Sequence, residues 1–144
     1  MSEKRWHLDD AIGFWMHLAQ NRARNHADAM MAEFEVNPEQ WAILVRLWER
    51  DERTQSELAE VTFRDKPSVT RMLDGLVRAG YVVRARDPAD ARCQRILLTR
   101  AGRDLEAQLV PRVRAFVKRL LRGISPAELQ TTLETLRRMY FNLE

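Results

Sequence analysis

One cysteine and three histidines in 144 residues leave little material for redox, metal or nucleophilic chemistry. Cys93 has no partner for an internal disulfide, which points to a reducing compartment and a cytoplasmic location. His7, His17 and His26 all fall in or just before the first predicted helix. At about 100° per residue His17 and His26 point to opposite sides, so one helix cannot join them on a metal, and neither a metal nor another cofactor is expected. No apolar run is long enough to span a membrane. The opening MSEKRWHLDD has no apolar segment followed by a small-residue cleavage site, so no secretory signal is expected. A GxSxG motif, a phosphate loop and a Cys–His pairing are all missing, and Ser68 has no companion histidine nearby; the chain does not read as an enzyme. Repeats, low-complexity segments and long linkers are missing too. Hydrophobic and charged shares of 45% and 31% are those of a globular protein, so residues 1–144 read as a single domain.

What the chain does have is unevenly placed positive charge. The net charge is only +3, yet residues 64–103 hold ten Lys/Arg against four acids, a local +6 that leaves −3 for the remainder. A positive region on a slightly acidic body suits a polyanion. Membrane binding would want this charge beside an apolar face; here it sits on a turn and on the polar side of a helix, which favours nucleic acid.

The same stretch, DKPSVTRMLDGLVRAGYVVRARDPADARCQRILL, predicts a helix over 66–79, a glycine stop, and two strands around a basic turn. Val69, Met72, Leu73, Leu76 and Val77 recur at helical spacing, while Ser68, Thr70, Arg71, Asp74 and Arg78 take the other face. Asp65 suits the cap, Pro67 the first turn and Gly80 the left-handed stop. Tyr81, Val82 and Val83, and then Ile96, Leu97 and Leu98, are strand formers, with turn chemistry in Asp87-Pro88-Ala89-Asp90. A helix with a polar, basic outer face fits the major groove of a duplex, and an arginine-tipped hairpin can reach the neighbouring minor groove.

Around this unit the periodicity predicts further helices. Residues 8–34 form one long amphipathic helix with Leu8, Ile12, Trp15, Met16, Ala19, Ala23, Ala27, Met30 and Phe34 on a stripe. Asn37-Pro38-Glu39-Gln40 starts the next, with Trp41, Leu44, Val45 and Trp48 inward; Thr54-Gln55-Ser56-Glu57 is a capping box for a short third helix. That helix and the one at 66–79 make a helix-turn-helix, to which the 81–98 hairpin adds a wing. Thr99 caps a helix to about 122, kinked at Pro111 and stopped at Gly123, and Ser125-Pro126-Ala127-Glu128 opens the last, with Leu129, Leu133, Leu136, Tyr140 and Leu143 inward. The fold class expected is mainly α with a small β-hairpin wing. It is a winged helix-turn-helix lobe at 38–99, flanked by dimerisation helices at 1–36 and 100–144. The outer stripes lie outside the lobe, and a second copy related by a two-fold axis would bury them, setting two recognition helices about one DNA turn apart.

Motif order, spacing and flanking helices together resemble the MarR family of bacterial transcriptional regulators. The resemblance spans nearly the whole length and is most specific in DKPSVTRMLDGLVRAGYVVR, in the wing DPADARCQ and in ILLTRAG. The family's wing pattern Asp-x-x-Asp-x-Arg is met by Asp87, Asp90 and Arg92. The resemblance implies a homodimer that binds operator DNA, usually as a repressor and often released by a small ligand. Carried over by position, Ser68, Thr70 and Arg71 would face base edges or phosphates in the major groove, and Arg64 and Lys66 would meet phosphate. Arg92 would enter the minor groove, where a planar, weakly hydrated cation is favoured. Asp87 and Asp90 would hold the wing arginines by charge-assisted hydrogen bonds, and Arg86 would be a second wing cation on the backbone.

The switch is less legible. Arg92 and Arg95 beside Cys93 would favour a thiolate, but the sensing cysteine of the family's peroxide-responsive members lies in the first helix, where this chain has none. Trp15, Arg22 and His26 share one edge of the first helix and would offer an aromatic wall, a cation and a hydrogen-bonding group to a small aromatic or phenolic ligand; as plain structure, Trp15 would be core, Arg22 would pair with an acid across the dimer and His26 would be a satisfied interface residue. Two other readings stand beside this one: a helical dimeric scaffold without specific DNA binding, and a redox- or metal-responsive variant of the same regulator.

Overall fold

A computed structural model describes residues 5–144; the first four residues of the opening segment lie outside the described residues. Up to Arg112 the chain forms one compact unit, and Val113–Glu144 forms a second. In the first unit a short 3-10 turn at Leu8–Asp10 precedes α1 (Ile12–Met31), and another at Ala32–Phe34 leads to α2 (Pro38–Glu49). Strand β1 (Arg53–Thr54) runs directly into α3 (Gln55–Val61). Then come α4 (Lys66–Arg78), β2 (Val82–Arg86), β3 (Gln94–Leu98) and the start of α5 (Arg100–Leu120). No helix is long and apolar enough to cross a membrane among the described residues.

Local chemistry sets most of these boundaries. Asn37 with Gln40, and Thr54 with Glu57, form reciprocal capping boxes. The Asp65 carboxylate caps α4, and Thr99 Oγ1 accepts from Gly102 N at 3.0 Å to cap α5. Gly80 ends α4 with φ +82°, a conformation that a Cβ would strain.

The core sits where the helix-turn-helix meets the sheet. Ile43, Leu44 and Leu47 from α2, Leu58 from α3, Val69, Leu73 and Leu76 from α4, Val82 and Ile96 from the strands, and Leu105 and Leu109 from α5 are all sealed from solvent. The sheet is antiparallel in the order β1-β3-β2, with Val82 opposite Leu98 and Arg86 opposite Gln94. β1 is absent from the sequence reading, because two residues are too few to show a period; Arg53 pairs with Ile96 and Thr54 with Arg95.

Three expectations are corrected. The helix expected over 8–34 is broken at Ala11, which takes an extended conformation. The Asp9 carbonyl, which would accept from the backbone in a continuous helix, accepts the Trp15 indole N–H at 2.8 Å instead. Most of its stripe is not covered within the chain: Leu8 is 62% exposed and Trp15 53%, and of the stripe only Ala27 is buried, beside Met31, which the stripe does not include. Val77, expected inward, lies on the exposed side of α4.

The second unit holds the end of α5 and α6 (Pro126–Phe141), which is opened by a Ser125–Glu128 capping box. α5 runs unbroken through Pro111, and Gly123 (φ +80°) marks the turn after it. Leu133, Leu136, Tyr140 and Leu143, expected inward, are exposed: two helical segments bury too little of each other to enclose a stripe of large side chains.

Candidate nucleic-acid interface

α3 and α4 meet through a tight turn at 62–65, in which Phe63 adopts the left-handed conformation (φ 55°). The first turn of α4 is tied down by its own cap. Ser68 N donates to Asp65 Oδ1 at 2.8 Å and Ser68 Oγ to Asp65 Oδ2 at 2.9 Å; these two bonds hold the Asp65 carboxyl below its ordinary pKa. Arg71 leans back on the same serine, with Nη2 donating to Oγ at 3.2 Å.

Thr70 is more heavily engaged than the sequence suggests. Its hydroxyl donates to the Lys66 carbonyl at 3.0 Å and accepts from Gln55 Nε2 of α3. Its carbonyl accepts from Arg84 Nη2 of β2 at 3.2 Å, and the same guanidinium pairs with Asp74 Oδ1 at 2.7 Å. One residue of α4 thereby joins α3, α4 and the wing. From below, the buried Gln40 side chain of α2 donates to Met72 O at 3.3 Å. It approaches so closely that a Cβ on Gly75 would lie 2.2 Å from Gln40 Nε2.

In the wing the expected pairing is half right. Asp87 does hold an arginine, but the arginine is Arg95, at 3.1 Å; Arg95 also donates to Glu52 O at 2.8 Å, anchoring the hairpin to the loop before β1. Asp90 holds no arginine side chain among the described residues. Its Oδ1 accepts from Arg92 N at 3.0 Å and its carbonyl from Cys93 N at 3.0 Å, so it shapes the turn through the backbone, as an Asx turn does. This leaves the Arg92 side chain at the exposed tip and Arg86 exposed on β2. Lys66 and Arg92 line one depression of about 340 Å³ between α3, α4 and the wing, with Gln55, Ser56 and Gln94 as neutral donors. Arg64 turns toward Glu39 at 4.0 Å, a carboxylate that it shares with Arg24. Such an exposed pair is weak enough to yield to a phosphate.

The shift at Cys93 runs away from a thiolate, against the redox reading. Burial pushes the thiol pKa up, and Asp90 and Asp87 add to the effect, while Lys66 opposes it. Trp15, Arg22 and His26 do lie together along α1, all exposed, but the Trp15 N–H is already bound to Asp9.

Gln55, Asp74, Arg84 and Arg95 are the site residues that sequence reasoning missed. Each acts on a partner eight to forty-three residues away, beyond any spacing rule. The one available signal was the alternation of Arg84 and Ile96 with outward residues, which sets Arg84 on the face of the sheet that packs on α4.

The sequence profile of the MarR family matches residues 36–94, the helix-turn-helix and most of the wing. A probable transcriptional regulator from Pseudomonas aeruginosa, solved as a crystal structure, is 31% identical, with 92% of this chain and 99% of that one superposed at a TM-score of 0.78. The chain belongs to the MarR family. Two further relatives carry the name HTH-type transcriptional regulator. TtmR of Methylorubrum extorquens is 30% identical over 71% of this chain and 52% of its own length. The uncharacterized YdgJ of Bacillus subtilis is 33% identical over 70% of this chain and 62% of its own length. The chain thus matches between half and two thirds of the length of these two relatives. As a MarR-family winged helix-turn-helix, it has α4 as the second helix of the motif and β2–β3 as its wing.

Proposed function

We propose that this MarR-family chain acts in the cytoplasm as a homodimeric transcriptional regulator that binds a pseudo-palindromic operator, most simply as a repressor that occupies its site. The observation that carries this reading is the depression shared by Lys66 and Arg92. Two cations from separate elements converge on one concave, donor-rich surface, beside a recognition helix that four polar ties hold in place. A DNA strand supplies phosphates for such a surface, and Arg92 and Arg71 reach on toward the grooves. Lys66, Arg64 and Arg86 act as backbone cations, Ser68, Thr70 and Arg71 face the major groove, and Asp87 and Asp90 keep the wing in shape.

In this reading residues 1–144 work as one MarR-type domain, with 38–99 as the DNA-binding lobe. A second copy covers the exposed stripes of 1–36 and 100–144. A small aromatic or phenolic ligand would be held by the Trp15 ring, the Arg22 cation and His26 and would release the operator.

Selection from a pool of random duplexes at two salt concentrations tests the proposal. Recovery of a pseudo-palindrome with half-sites about ten base pairs apart is expected. Weak binding that vanishes with salt and selects no sequence would leave a helical scaffold as the better reading. Alanine at Arg71 and Arg92 should weaken binding and flatten its salt dependence. Benzoate titrated into the protein–operator complex should release DNA from the unaltered chain and fail to do so from Arg22→Ala.

A further inference from the structure

The outward polar groups of α4 are not equally available to a base. Ser68 Oγ spends its proton on Asp65 and accepts from Arg71. Thr70 Oγ1 is bound to Lys66 O and to the Gln55 amide. Whichever way round that amide sits, the single hydroxyl proton of Thr70 stays inside the protein, on Lys66 or on Gln55. With the amide donating to it, the hydroxyl keeps one lone pair, against an entire methyl group. Arg71 has five donors, and one of them goes to Ser68 among the described residues.

We infer that Thr70 reads DNA through its γ-methyl, by apolar contact with the C5-methyl of a thymine in each half-site. Gln55 is the positioning residue that turns the hydroxyl away, and Arg71 is the polar reader beside it. Thymine is the base that presents a methyl group in the major groove, and threonine methyls suit it. Thr70 is half-buried on the outer side of α4, where the residues one turn before and after it, Lys66 and Asp74, are exposed. The tie from Arg84 to the Thr70 carbonyl fixes the height of this residue above the sheet.

The inference rests on the DNA-binding reading, and the test separates the two. In the selected operator, each thymine of a half-site is replaced in turn by deoxyuridine, which keeps the base pair and deletes only the methyl. The full-length chain should lose affinity about four-fold at one position per half-site, the worth of one buried methyl group. Thr70→Ser, which keeps both hydroxyl bonds, should bind the thymine and uracil duplexes alike. Thr70→Val, which keeps the methyl, should retain the difference, and Gln55→Ala should shrink it while leaving the fold intact by circular dichroism. Selective binding that is indifferent to uracil at every position, or a uracil effect that persists in Thr70→Ser, overturns the methyl reading alone. Failure to select any sequence overturns both.

Discussion

The helix-turn-helix half of the molecule and its helical extensions solve the same problem in opposite ways. From α2 to β3 each amphipathic face finds a counterpart within the chain: Leu44, Leu58, Leu73, Leu76 and Ile96 are wholly enclosed, and among the described residues no buried side-chain polar atom lacks a hydrogen-bond partner. The stripe at the start of α1 and most of the apolar residues of Val113–Glu144 stay in water, with Ile12 61% and Tyr140 55% exposed. Both regions have the periodicity of a core; only one has a core. An apolar stripe therefore states that something must cover it, and the same chain or another copy can supply the cover.

Substitutions can break or sharpen this contrast. The largest effect is expected inside the lobe: Leu73→Ala should cost about 3 kcal/mol of unfolding free energy in urea, from lost burial plus the cavity left behind. A loss under about 1 kcal/mol would mean that the lobe is looser than its burial implies. Gly75→Ala comes next. Its Cβ would displace Gln40 from Met72 O and leave buried polar groups unpaired, at a cost of about 1–3 kcal/mol; Gln40→Ala should remove much of the difference in a double-mutant cycle. In the extensions, Ile12→Glu with Leu136→Glu should convert a dimer into a monomer by sedimentation while leaving the lobe's urea midpoint unchanged at low protein concentration. A variant that remains dimeric would place the interface elsewhere.

The smallest effect is electrostatic. The Asp65 pKa lies below its ordinary 3.8, so its contribution is fully in place above that pH and is lost as pH falls through the lowered value in the folded chain. The stability gap between the unaltered chain and Asp65→Asn should therefore narrow as pH is lowered below 3.8. A gap that does not change with pH would mean that the carboxylate's charge contributes nothing to the cap.

How much of this was legible in the sequence depended on distance along the chain. The caps at Asn37, Thr54, Asp65, Thr99 and Ser125 were all readable, because each bonds a backbone group within three residues. The recognition helix and the wing were readable from spacing and turn residues. The partner of Asp87 was not: Arg92 is the nearer of the two in sequence, yet the antiparallel register, which sets Arg95 opposite Ala85 and Arg92 in the turn, gives the pair to Arg95. Cys93 follows the same rule. Adjacent arginines would favour a thiolate, whereas the charges of Asp90 and Asp87 push the thiol the other way.

By itself the sequence determined where helices start and stop, which faces are apolar and where positive charge gathers. Those properties depend on residues within about four positions of one another, where backbone geometry fixes the neighbours. Tertiary structure alone decided that Gln55 and Arg84 converge on Thr70, that Arg95 rather than Arg92 is held by Asp87, and that one set of apolar stripes is core while another remains surface. Pairings of that kind turn on strand register and helix packing, which bring together groups whose separation along the chain carries no geometric information.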